Sequence, residues 1–315
     1  SIAINDSDAV SRAAISYTNP YHTPDGISRG FRYERTEVDS TEVNTAEYVL
    51  NEQSLGVFYK VPIAETNNIK FVVAYQETAL ESLPESPPEF REFSNLFPEG
   101  DDCVLTVGIS KDTRDDFFFP NSGGSASATL EYTLPGSDYE YYKLNLIGSY
   151  YLPLTNRFTL KGGLGYGVGD GYGDLSDVGL PFFKNYFAGG PNSVRGYESR
   201  SLGPKDSGLT PEPIGGDTRV LANLELLFPA FGSGTTRDKR IGLFVDSGFV
   251  WGPGESVDLG ELRYSTGLFF NWYSPIGPFT ISYGVPIDEQ PGDDLEEVQI
   301  SLGLSLIHIS EPTRQ

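Results

Sequence analysis

In 315 residues the chain has one cysteine, two histidines and no methionine, and it has half as many basic as acidic side chains. Cys103 alone can form no internal disulfide, so cysteine usage is silent on redox compartment. His22 and His308 are too few for a multi-histidine metal site, and the usual general base of a hydrolytic triad is missing. No catalytic residue, metal or cofactor is expected. The 44 acidic residues against 22 basic ones give a net charge of -22, which argues against a nucleic-acid partner. No window approaches the roughly 18–20 consecutive apolar residues that a spanning helix needs, which excludes a helical membrane protein.

What the chain does have is 36 Gly, 20 Phe and 19 Tyr, a composition of turn formers and β-formers. Period-two alternation recurs throughout. Ala126, Ala128, Leu130, Tyr132 and Leu134 alternate with Ser127, Thr129, Glu131 and Thr133. Phe279, Ile281 and Tyr283 alternate with Thr280, Ser282 and Gly284, and Val298, Ile300, Leu302, Leu304 and Leu306 with Gln299, Ser301, Gly303 and Ser305. Each strand therefore has one oily face and one polar or glycine face.

A soluble sandwich would alternate too, but its apolar faces would meet a second sheet, whereas a membrane barrel turns them to lipid. Polar faces rich in Gly, Ser, Asn and charge, as at Gly163 and Gly165 beside Lys161, favour the barrel. Aromatics at Tyr17, Tyr21, Phe117 to Phe119 and Tyr139 to Tyr142 are expected to form interfacial girdles. Short turns at Ala64 to Asn68 and Pro153 to Asn156 alternate with long loops at Glu77 to Asp102 and Gly167 to Ser207. At about 10 residues per strand and about 10 per connection, the chain holds roughly 15 strands. No amphipathic helical repeat or second domain is visible. The chain opens inside an alternating stretch, Ser1 to Asn5, which reads as a fragment. Residues 1–306 are expected to form the barrel domain. Residues 307–315, where the alternation stops and Pro312 intervenes, are expected to be a non-native tail.

The most specific segment is Phe187-Ala-Gly-Gly-Pro-Asn-Ser-Val-Arg-Gly-Tyr197, inside the longest loop. A solvated glycine-rich loop is the plain reading. The sharper one folds Val194-Arg195-Gly196-Tyr197 back into the barrel, where a lone guanidinium needs carboxylate partners. Two acids qualify by strand parity. Glu225 shares the polar face of Asn223, opposite Leu224 and Leu226, and Asp246 shares that of Gly242 and Gly248, opposite Leu243 and Val245.

At these residues the chain resembles the BamA family of outer-membrane β-barrel assembly factors. The resemblance is carried by Gly189-Gly190 with Val194-Arg195-Gly196-Tyr197, then Phe244-Val245-Asp246-Ser247-Gly248 with Val250-Trp251. Ser16-Tyr17-Thr18-Asn19-Pro20-Tyr21 and Leu134-Pro135-Gly136-Ser137-Asp138 add to it. It implies an all-β fold, a transmembrane antiparallel β-barrel of about 16 strands in the parent, here without the first strand and part of the second. Arg195 then matches the lid arginine, and Glu225 and Asp246 its wall partners. Val298, Ile300, Leu302, Gly303 and Leu304 fall in the last strand, which pairs weakly with the first at a seam that opens to lipid. Leu306 departs from the aromatic usual there.

The implied function is a bacterial outer-membrane, non-enzymatic insertase that folds client barrels at that seam. Its implied partners are unfolded outer-membrane clients, outer-membrane lipid and lipopolysaccharide, and accessory lipoproteins engaged mostly through periplasmic POTRA domains, which are not expected within these 315 residues. A translocation pore of the same superfamily, of the two-partner secretion or autotransporter assembly type, is the alternative. Gly163-Leu-Gly-Tyr-Gly167 lies on a strand with no helix following and is no nucleotide loop. Gly169 to Asp177 reads as an acidic solvated loop before a calcium site, and Asp293-Asp294 with Glu296-Glu297 as a charge run capping a surface loop.

Overall fold

The computed structural model describes residues 1–6, 10–40, 46–208, 211–230, 238–274 and 277–302. Gly303, Leu304, Leu306 and the segment 307–315 lie outside the described residues. The strands in chain order are β1 (Ile2–Asp6), β2 (Val10–Asn19), β3 (Ser28–Asp39), β4 (Val49–Ala64), β5 (Asn67–Glu81), β6 (Glu99–Asp112), β7 (Gly123–Thr133) and β8 (Tyr141–Pro153). They continue with β9 (Thr159–Gly171), β10 (Gly196–Tyr197), β11 (Thr218–Pro229), β12 (Lys239–Trp251), β13 (Arg263–Ser274), β14 (Gly277–Pro286), β15 (Leu295–Glu296) and β16 (Val298–Leu302). Among the described residues one α-helix, α1 (Pro88–Leu96), interrupts them.

All but β10 and β15 join in a 14-stranded antiparallel sheet in which each strand pairs with its neighbours in sequence. Among the described residues the sheet has one strand fewer than the expected 15; several strands exceed the assumed length, β4 running 16 residues and β5 15. Among the described residues the sheet is open, with β1 and β16 at its two edges.

The polarity of the sheet is inverted relative to a soluble protein. Leu164 is 70% exposed and Ile300 60%, while Asp246 and Ser265 on the opposite face have no exposed surface. Side chains this apolar are left outward only where the surroundings are themselves apolar, so the outer face is the lipid face.

Inside, a cluster forms beneath α1. Its Phe90 stacks on Phe182 at 3.9 Å between ring centroids, and Phe93 stacks on Tyr139 at 6.1 Å. The Tyr139 hydroxyl donates to the Phe97 carbonyl at 2.9 Å. Two sequence expectations need correction here. The stretch from Glu77 to Asp102 is not one loop, since β5 runs to Glu81 and β6 begins at Glu99. The helix within it is, at nine residues, too short to show a repeat, and it is held by burying Phe90 and Phe93 rather than by its own propensity. Tyr139 and Tyr141 are fully buried and take no part in a girdle, whereas Tyr17, Tyr21, Phe117 and Phe118 are exposed. Parity explains it: Tyr142 points out, so Tyr141 points in.

Phe93 touches the rings of Phe97, Tyr139, Phe182 and Phe183. Phe93→Ala is expected to cost about 3–5 kcal/mol and to expose residues 82–87 to protease. Unchanged cleavage and melting temperature would show that α1 is not anchored by this ring.

Candidate functional site: the lid clamp

The segment between β9 and β11 turns back onto the inner wall, and its tip is Val194 to Tyr197. Arg195 is 6% exposed. Its Nε donates to Asp246 Oδ2 at 2.6 Å, and its Nη2 donates to Asp246 Oδ1 at 2.8 Å and to Glu225 Oε1 at 2.9 Å. The Arg195 backbone N–H also donates to Asp246 Oδ2, at 3.2 Å. This is the fork geometry that makes arginine, not lysine, suited to a carboxylate.

The wall presents those acids because the ladder fixes their register. Asn223 lies opposite Asp246 and Glu225 opposite Lys161. Lys161 Nζ meets Glu225 Oε2 at 3.1 Å, so two cations face two carboxylates. Asn223 Nδ2 donates to Asp246 Oδ1 at 3.0 Å and to the Ser193 carbonyl at 3.1 Å. The guanidinium also lies 3.7 Å from the centroid of the Phe244 ring and 5.0 Å from that of Phe269. Both rings are buried, so charge and aromatic contacts act together on the guanidinium.

The rest of the tip reaches toward the other end of the sheet. Val194 and Tyr197 are fully buried in a cluster with Tyr186, Ala188, Leu202 and Val250. Gly196 and Tyr197 form β10 and pair with Glu296 and Leu295 of β15, the segment just before the last strand. Gln299 on β16 is 2% exposed and donates to the Tyr197 carbonyl at 2.7 Å. Lys205 pairs with Asp294 at 2.6 Å and Arg263 with Asp293 at 2.7 Å. Asp293 and Asp294 therefore tie the final loop to the lid and the wall instead of capping a free surface loop.

Of the expected site residues, the structure brings Val194, Arg195, Gly196 and Tyr197 together with Glu225 and Asp246. Val298, Ile300 and Leu302 face outward on β16, opposite Tyr283, Ile281 and Phe279 of β14, away from the clamp. Gly303 and Leu304 lie outside the described residues. Sequence reasoning missed Phe244, Phe269 and Gln299 as contacts of the lid and Lys161 as a partner of Glu225. Lys161 and Gln299 carried a signal in their position on the polar face of a strand, and Phe244 in sharing the parity of Asp246.

The Omp85 superfamily domain matches residues 1–306. The chain belongs to the Omp85 superfamily. The outer membrane protein assembly factor BamA of Neisseria meningitidis serogroup B is 31% identical over 327 residues, which cover 92% of this chain and 41% of that protein. BamA of Nitratidesulfovibrio vulgaris is 30% identical over 195 residues, 59% of this chain and 23% of that protein. This Omp85 chain thus spans about two fifths of the length of the first of these relatives, and less of the second.

Among solved structures, BamA from Haemophilus ducreyi lacking POTRA domains 1–3 superposes with a TM-score of 0.87 at 28% identity, over 95% of this chain and 63% of that one. CdiB from Acinetobacter baumannii matches with a TM-score of 0.55 at 14% identity, over 93% of this chain and 50% of that one, a likeness of fold alone. The Omp85 chain is an integral outer-membrane β-barrel protein, and the inverted polarity of its sheet is the physical counterpart of that membership.

Proposed function

We propose that this chain is the barrel portion of an outer-membrane protein assembly factor, which inserts and folds client β-barrels through a seam between its first and last strands. The observation that carries the reading is the extent of the likeness to BamA proteins, in sequence over 92% of the chain and in fold at a TM-score of 0.87. Strand addition at that seam supplies a physical route. Unpaired N–H and C=O groups are costly in hydrocarbon, so an edge exposed there recruits an incoming strand and templates its ladder.

The work is done by hydrogen bonding and membrane geometry, and no covalent chemistry is assigned to any residue. The partners in this reading are unfolded outer-membrane clients at the seam and outer-membrane lipid and lipopolysaccharide around the barrel. Accessory lipoproteins would be engaged mostly through POTRA domains, placed by this reading outside residues 1–306. The span 307–315 is not assigned to the barrel. A lid packed across the inner face speaks against a permanently open pore.

The test is folding of an unfolded client barrel in liposomes by the full-length protein. Folding several times faster than in empty liposomes is the expected result. No acceleration, together with steady ion conductance, would replace the reading with a translocation pore.

A further inference from the structure

In a chain of net charge -22, one compartment is cationic. A cavity of about 840 Å³ between the inner wall and the lid is lined by Lys143, Lys161, Arg200 and Arg219 and, among the described residues, by no carboxylate. Lys161 is committed to Glu225. Lys143 and Arg219 are not so matched: among the described residues neither forms a salt bridge. Both charges instead lie against the same Tyr186 ring, 4.2 and 5.1 Å from its centroid.

Their hydrogen bonds go to backbone. The Lys143 ammonium donates to the Lys184 carbonyl, and Arg219 Nη1 donates to the Phe187 carbonyl at 3.0 Å. Arg219 Nε is buried with no partner. The nearby acids Glu52 and Glu131 are engaged by Lys184, at 3.3 and 3.7 Å. A ring face and carbonyl dipoles compensate a desolvated cation only in part, and here two such cations share one ring. An arginine fork beside a lysine point charge is a pairing suited to a phosphate or carboxylate.

We propose that the barrel interior holds a binding site for a small oxyanion, of phosphate or carboxylate type, between Lys143 and Arg219 beneath the lid. The site rests on lumen geometry and stands independently of the assembly reading. The cavity is larger than one such group and within the range of ligand pockets. The oxyanion is therefore either a free ion or the end of an acidic side chain on a polypeptide passing through the lumen.

The experiment is calorimetric titration of the full-length protein in detergent with inorganic phosphate, at ionic strength fixed with chloride. Saturable binding is expected, weakened at least tenfold by Lys143→Gln and by Arg219→Gln, and changed less than twofold by Lys111→Gln on the exposed end of β6. The conservative variants Lys143→Arg and Arg219→Lys are expected to keep binding, which separates lost charge from lost fold. A short glutamate-rich peptide that displaces phosphate at tenfold lower concentration would identify a polypeptide carboxylate as the source, and failure to displace it a free ion. Absence of saturable binding beyond that of chloride, or binding indifferent to both glutamine variants, would overturn the site.

Discussion

Arg195→Ala is expected to release the lid from the wall, with protease cleavage appearing within 189–200, a lower melting temperature and a several-fold loss of client-folding rate in liposomes. The reason is the state in which it leaves the acids. Asp246 has no exposed surface and loses three donated hydrogen bonds, two from the guanidinium and one from the displaced Arg195 backbone. Glu225 keeps Lys161. Stranding one member of a buried ion pair typically costs about 3–5 kcal/mol. The lower end is expected here, because Asn223 still donates to Asp246 and water can enter the lumen. Arg195→Lys should recover only part, since one ammonium cannot reproduce the two-pronged contact with Asp246 while reaching Glu225. Adding Asp246→Asn to Arg195→Ala should restore stability, because it removes the stranded charge. If cleavage, melting and folding rate are all unchanged in Arg195→Ala, the clamp holds nothing.

Much of the barrel could be read from the sequence because a strand writes its two faces into a period of two. The same parity put Glu225 and Asp246 on the inner face, where they lie in the structure, since one residue of slip would have sent them into lipid. What could not be read depends on partners far apart in the chain. Gly196 and Tyr197 pair with Glu296 and Leu295, and Gln299 reaches the Tyr197 carbonyl; no local pattern encodes a ladder spanning that separation. Tyr139 and Tyr141 illustrate a different limit. An aromatic near a strand end has the same composition whether it faces a headgroup or a neighbouring ring. For Tyr141 the parity of β8 decides, and for Tyr139, before the strand begins, the presence of α1 above the inner face with Phe93 against its ring. The helix itself was hidden by its brevity. Asp293 and Asp294 looked like solvated charge because Arg263 and Lys205 are distant in sequence.

Gly284→Val is expected to reproduce the Arg195→Ala phenotype by adding volume where that variant removes charge. The lid rests on β14 backbone against backbone: a Cβ on Gly284 would lie 2.8 Å from the Gly196 nitrogen and 2.9 Å from the Arg195 carbonyl carbon. Gly196 itself has φ +92, a conformation open to glycine, and a Cβ there would meet Gly284 at 3.0 Å. Valine suits a strand, so β14 should not be weakened by its own propensity, and the added bulk is directed at the tip. Displacing Gly196 moves Arg195 off Asp246 and also parts β10 from β15. The decisive measurement is the double variant. If both substitutions act by undocking one lid, Arg195→Ala with Gly284→Val should lose little more stability and folding activity than the worse single variant. Contacts that act as a unit are not additive. Losses that sum in full would mean that the charge clamp and the backbone contact serve separate structures, and an inert Gly284→Val would mean that the lid is not seated on β14 in the working protein.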